Sequence, residues 1–183
     1  MIKFLSIVLS AIALVYDQKK HLVKVLALPF LLFLLIDASE YEVENAALIW
    51  LFTILELFVY VVFAIVIHRT ILLGRDSVGA WGFLGWTKRE TYFLLNIIGM
   101  FIISSVILGV ASNMQFPGTM IGLIGVVYVW GRVSLVFPGV AIDHEMTMIS
   151  SWRLTRNHQV LICLIVGLVP VLFFVPTLGG VNN

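Results

Sequence analysis

Apolar residues run in long unbroken tracts along this chain, and polar residues gather in short islands between them. The first tract covers residues 2–16. Within it Lys3, Ser6, Ser10, Ala13 and Asp17 recur at spacings of three and four, which traces one narrow helical face. At ~15 residues the tract falls short of the ~20 that cross a bilayer, so it reads as an amphipathic helix on the membrane surface or packed on the bundle. A signal peptide is the rival reading, from Lys3, the apolar core and Ala11-Ile12-Ala13, but the region before that site is shorter than usual.

Asp17-Gln18-Lys19-Lys20-His21 reads as a polar break. A first span is expected at 22–36, with Lys24 near its end and a kink at Pro29. Asp37, Glu40, Glu42 and Glu44 then form an acidic loop without Lys or Arg. The second span, 46–67, carries Glu56 near its middle. A connection holding His68, Arg69, Arg75, Lys88 and Arg89 leads to the third span at 92–111. A short uncharged turn precedes the fourth at 118–136. The chain is expected to break at Pro138-Gly139, turn polar at Asp143-His144-Glu145, and enter a fifth span at 158–175.

Composition narrows the class. The chain is 61% hydrophobic and 11% charged, against roughly 25% charge in soluble domains, and its mean hydropathy is +1.10. A fold of 183 residues in water could not cover that much apolar surface. A transmembrane β-barrel would alternate apolar and polar positions, which these tracts do not. The expected fold is all-α: a polytopic transmembrane helical bundle of five spans plus the N-terminal amphipathic helix, forming a single membrane domain over 1–183. Lys19, Lys20, Arg69, Arg75, Lys88, Arg89, Arg153 and Arg156 fall in connections on one side, and the acidic loop lies on the other. The positive-inside rule then places the N-terminus in the cytoplasm of an inner membrane. Five spans leave the C-terminus outside, and the odd number makes a sixth span beyond it an expectation.

Candidate chemistry is sparse. Glu56 lies ~15 Å and Arg132 ~21 Å below the outer ends of their spans at 1.5 Å per residue. Buried charges usually face the bundle interior and pair, so these two are expected to meet and fix the packing of the second and fourth spans, with a proton or ion relay as the functional alternative. Gly118, Gly122 and Gly125 leave a smooth strip on the fourth span, and Ser105 with Gly109 a second on the third, both suited to close helix approach. His68, His144 and His158 lie in separate connections without metal-ligand spacing, and Cys163 stands alone, so no metal or cofactor is expected. No nucleophile–base set is readable, and Asp143 and Ser151 read as helix-starting or capping residues. No nucleic-acid motif is present. Arg153 and Arg156 share one helical face and are expected to meet lipid headgroups.

The stretch from Val129 to Asn157 is the most informative. An intramembrane Arg132, then Pro138, then Asp143 or Glu145, then Ser151-Trp152-x-Leu154-Thr155-Arg156, resembles the membrane domain attached to some bacterial glycerophosphodiester phosphodiesterases and the YciC-like inner-membrane proteins. His68 and Gly74 also suit that pattern. The resemblance covers about thirty residues well and the rest loosely. Those families usually have an even number of spans, unlike this chain. The stretch carries no phosphodiesterase domain, so no catalytic residue is carried over, and the resemblance implies an inner-membrane protein of undefined role. The expected function is a non-enzymatic scaffold or accessory subunit, with membrane lipids and other membrane subunits as partners. The alternative is a small transporter using Glu56 and Arg132.

Overall fold

The computed structural model describes residues 2–41, 43–79, 81, 82 and 85–168, and all regular structure among them is helical. Four helical stretches are long and apolar enough to cross a membrane: Leu5–Glu40, Ala46–Leu73, Lys88–Ser112 and Pro117–Ala141. The expected fifth span at 158–175 runs past the described residues at 169. Before that point it forms only a 3₁₀ turn at Thr155–His158, the helix Gln159–Cys163 (α7) and a π turn at Leu164–Leu168.

The expected separation of an amphipathic helix from a first span is corrected. Helix α1 runs unbroken from Ile2 to Glu40. Asp17-Gln18-Lys19-Lys20-His21 is polar, but it holds neither Gly nor Pro, and Gln and Lys are good helix formers, so polarity alone does not end the helix. Helix α2, Ala46–Leu73, begins at Asn45, whose side chain accepts hydrogen bonds from the Ala47 and Leu48 amides at 2.9 and 3.4 Å. It continues six residues past the expected end. It stops at Gly74, whose φ of 92° suits glycine. Helix α3 spans Lys88–Ser112 and α4 spans Gln115–Val133. The break expected at Pro138 falls earlier, at Ser134-Leu135, and Pro138 sits inside the short helix α5, Val136–Ala141. In a first helical turn the amides have no intrahelical partner, so a proline there loses nothing. Helix α6, Met148–Leu154, starts at Thr147 rather than at Asp143 or Ser151, through a capping box with Ser150.

The chain forms two compact units. One combines Leu9–Leu94 with Pro138–His144; the other centres on Leu95–Phe137 and the stretch from Glu145 onward. In the first, Val25 of α1, Val66 of α2 and Val78 of the connection form a buried cluster with Leu26 and Val62. The Val25 carbonyl would normally accept from residue 29, but Pro29 has no amide hydrogen. Gly82, with a φ of 65°, places its backbone against that carbonyl: a Cβ there would run into the Val25 oxygen. The Cα hydrogen that points at the oxygen is a weak donor to a buried acceptor that Pro29 leaves free.

In the second unit the glycine strip of α4 packs on α3. A Cβ at Gly122 would come within 2.6 Å of the Ala111 side chain and one at Gly125 within 3.4 Å of Ile107, while Gly118 lies against the Ala111 carbonyl. The close approach is therefore within one chain. Gly109 has open space where a Cβ would stand, so its strip on α3 is not used this way among the described residues.

Gly82→Ala should lower the melting temperature in detergent sharply, because it combines overpacking of about 1–3 kcal/mol with a left-handed backbone that costs roughly 1–2 more. Gly85→Ala, with nothing within 4 Å of its Cβ, should leave it unchanged. Equal effects of the two would refute the Gly82–Val25 contact.

Candidate functional site

The polar interior of the first unit is a cluster of two arginines and two carboxylates. Arg69, one turn before the end of α2, donates from Nη1 to the Asp143 carboxylate at 2.6 Å and to the Ala141 carbonyl at 3.0 Å, and from Nε to the Ser77 carbonyl at 3.3 Å. Arg89, in the first turn of α3, donates from Nη1 to both Asp143 oxygens at 3.2 Å. Its Nε and Nη2 hold Glu90 Oε1 at 2.8 and 2.7 Å. The other Glu90 oxygen accepts from the Thr87 amide at 2.7 Å and from the Thr87 hydroxyl. Thr87 thus caps α3: its hydroxyl oxygen accepts from the Arg89 amide at 3.3 Å while the Glu90 carboxylate reaches back to the Thr87 amide. Glu90 has no solvent exposure. A buried carboxylate is costly unless it is paired and hydrogen-bonded, and here both of its oxygens are taken. The four charges cancel.

Asp143 is where these elements meet. Its φ is 62°, the only positive value for a non-glycine among the described residues. Its amide donates to Val140 at 3.1 Å, and the His144 amide donates to Gly139 at 3.0 Å. Together these bonds form the Schellman end of α5, at which glycine is usual in the left-handed position. Aspartate tolerates that backbone better than most residues. It supplies what glycine cannot, a carboxylate between two guanidinium groups. Burial alone would raise the Asp143 carboxyl; the Arg69 hydrogen bond and the charges of Arg89 and Arg69 outweigh it and hold the group below the ordinary aspartate range.

The second unit holds a different arrangement around Arg132, in the last turn of α4 and only 3% exposed. Its carbonyl is one of those a helix end leaves without a partner. Ser151 Oγ and Thr155 Oγ1 donate to it at 2.9 and 3.0 Å. In return, Arg132 Nη2 donates to the Trp152 carbonyl at 2.6 Å. The guanidinium carbon lies 4.6 Å from the Trp152 ring centre and 6.0 Å from that of Tyr128, in cation–π range for the first and at its limit for the second. Nε and Nη1 have no hydrogen-bond partner among the described residues. Beside Arg132, Gly131 lets α7 close in: a Cβ there would lie 2.8 Å from Cys163 Sγ.

The expected site residues therefore fare differently. Arg132 is buried and clamped to Ser151, Trp152 and Thr155. Glu56 lies in the other unit, half-buried in α2, and no ion pair holds it among the described residues of that unit. Arg153 and Arg156 are exposed, with no hydrogen bond or ion pair among the described residues. Among the described residues, no three His, Cys, Asp or Glu side chains gather where a metal ion could sit. The Arg69–Asp143–Arg89–Glu90 cluster was not anticipated. Part of it was readable, since Thr-x-x-Glu before an apolar run marks a helix start. The rest was not, since Arg69 and Asp143 stand 74 residues apart.

Two predictions follow from these contacts. Asp143→Asn keeps the backbone tolerance and removes the charge, and should cost about 1 kcal/mol, since the Asp143 side chain itself is more than half exposed and its pairs are screened by solvent. Because the folded Asp143 carboxyl titrates below its unfolded value, its contribution is complete above about pH 4 and fades as the pH falls through the folded value. Acid melting curves of the Asn variant should lack that part of the loss, and curves parallel to wild type would contradict the assignment. Separately, Ser151→Ala with Thr155→Val should cost about 1–3 kcal/mol by leaving the Arg132 carbonyl unsatisfied. Arg153→Ala and Arg156→Ala should change the melting temperature little.

No family model, curated protein or solved structure matches this chain, and the functional reading rests on these residues and contacts.

Proposed function

We propose that this is a non-enzymatic integral protein of a bacterial inner membrane, with a cytoplasmic N-terminus, that acts as a lipid-associated scaffold or accessory subunit. The observation that carries it is how little of each membrane-length helix is covered. In the most apolar window of these helices, 17%, 17%, 17% and 28% of residues are buried. Hydrocarbon does not drive such helices together as water would; they associate by packing, hydrogen bonds and lipid release. The uncovered faces are free for lipid tails and partner helices, while the charge cluster holds one end of the first unit rigid.

The same unit supports the proposed orientation. Arg69 and Arg89 lie at one end, and the acidic sequence that closes α1 and leads to Asn45 precedes the far end of α2, whose 28 residues span ~42 Å. The positive-inside rule assigns the arginine end to the cytoplasm. The resemblance of Val129–Asn157 to the phosphodiesterase-linked membrane domain supports the reading in one respect. Arg132, Ser151, Trp152 and Thr155, which carry the pattern, hold one another through hydrogen bonds and a cation–π contact.

A transporter is the second reading, favoured by the two unpartnered Arg132 nitrogens and by Glu56 within an apolar helix. The two are separated by extracting the protein from native membranes in polymer-bounded lipid discs. A scaffold should bring down a distinct membrane protein at fixed stoichiometry. Recovery of this chain alone with bulk lipid would contradict the scaffold. Labelling of Glu56→Cys, in a Cys163→Ser background, by a membrane-impermeant thiol reagent would favour the transporter.

A further inference from the structure

Between α1 and α2 lies a groove of about 790 Å³. Its walls are Leu22, Leu26, Phe30 and Leu31 of α1 and Phe63 and Ile67 of α2, with Lys19 as the one charged side chain on its lining. Such a volume falls within the range of small-molecule sites. From Val15 to Leu31 the groove follows sixteen residues of α1, ~24 Å, longer than the ~15 Å depth of one hydrocarbon leaflet, and Lys19 stands one turn in from its Val15 end. One charged side chain therefore lies near one end, and the ~18 Å of apolar wall from Lys19 to Leu31 matches the length of a lipid chain.

The charges at that end are uncommitted. Arg69 and Arg89 are neutralised by Asp143 and Glu90. Lys19 and Arg75, by contrast, form no ion pair among the described residues. Lys19 stands over the Tyr16 ring at 3.4 Å, and Arg75, outside the lining itself, donates only to the Asp17 carbonyl at 3.4 Å, two residues from Lys19 along α1. In that part of the sequence Lys19, Lys20, Lys24 and Arg75 outnumber Asp17 and Asp76.

We propose that this groove seats one acyl chain of an anionic glycerophospholipid, with its phosphate held by Lys19 and Arg75. The apolar wall takes the chain, and the two cations select a negative headgroup over a zwitterionic one. The inference rests on the reading of this protein as lipid-associated, and it names the lipid class and the residues.

The test uses the whole chain in vesicles of phosphatidylcholine with roughly one part in five phosphatidylglycerol, a composition that sets the surface charge. A photoactivatable group is carried on an acyl chain of either lipid, and crosslinks are mapped by mass spectrometry. Crosslinks from phosphatidylglycerol should concentrate on the segments bearing Phe30, Leu31 and Phe63. Lys19→Gln should lower the preference for phosphatidylglycerol about five-fold, the effect of one cation near an anionic headgroup. Ala27→Trp, which fills the groove, should abolish labelling, while Lys19→Gln, an exposed change, guards against a folding artefact. Equal labelling by both lipids, or labelling spread over α3 and α4, would overturn the proposal. A specific partner recovered from native membranes with an unlabelled groove would leave the scaffold reading standing and remove the lipid site.

Discussion

One carboxylate ties together the ends of four segments in the first unit. Asp143 accepts from Arg69 of α2 and Arg89 of α3, and Arg69 also holds the carbonyls of Ser77 and Ala141. Asp143 does this from a left-handed backbone position at the end of α5. A residue with a side chain in that position costs roughly 1–2 kcal/mol, and aspartate pays less than most. The geometry persists because the two guanidinium groups require an anion there. Glu90 completes the balance from the far side of Arg89, so a fully buried carboxylate is tolerated.

The second unit solves a related problem with hydroxyls and aromatic rings in place of carboxylates. A helix that ends inside a packed region leaves carbonyls without donors. Ser151 and Thr155, four apart on consecutive turns, aim two hydroxyls at the Arg132 carbonyl, and the Arg132 side chain returns to Trp152. Its charge rests on the face of an aromatic ring rather than on a carboxylate. That arrangement gives the Ser-Trp-x-Leu-Thr pattern a physical meaning: the spacing of four puts both hydroxyls on one face of the helix, and the intervening tryptophan supplies the carbonyl and the ring.

Much of the fold was legible in the sequence, and the failures have identifiable causes. Long apolar tracts mark helices able to cross a membrane because hydrocarbon forbids unpaired backbone groups. The glycine strip on α4 was legible because only glycine lets backbones approach so closely, and Gly118, Gly122 and Gly125 do meet α3. Boundaries were not legible where polarity was taken for a break: Asp17–His21 stays helical, and α2 runs through Arg69 to Gly74. At Pro138 the local rule was right and its placement wrong, since a proline in a first turn extends a helix as readily as it ends one. Arg132 was found because a buried arginine is rare. Arg69 and Arg89 were passed over as ordinary cations at a membrane surface, since their partner lies far away in sequence. No local pattern announces an ion pair between residues so distant.

The account rests on the mutual dependence of Arg69 and Asp143. A double-mutant cycle with Arg69→Met and Asp143→Asn, read as unfolding free energy in mixed detergent micelles, measures it directly. Residues sharing one network show coupling of about 0.5–3 kcal/mol. The arrangement described here predicts a value in that range, with the double variant destabilised by clearly less than the sum of the two single changes. Strictly additive effects would mean that the two residues act independently and that the cluster does not hold these segments together.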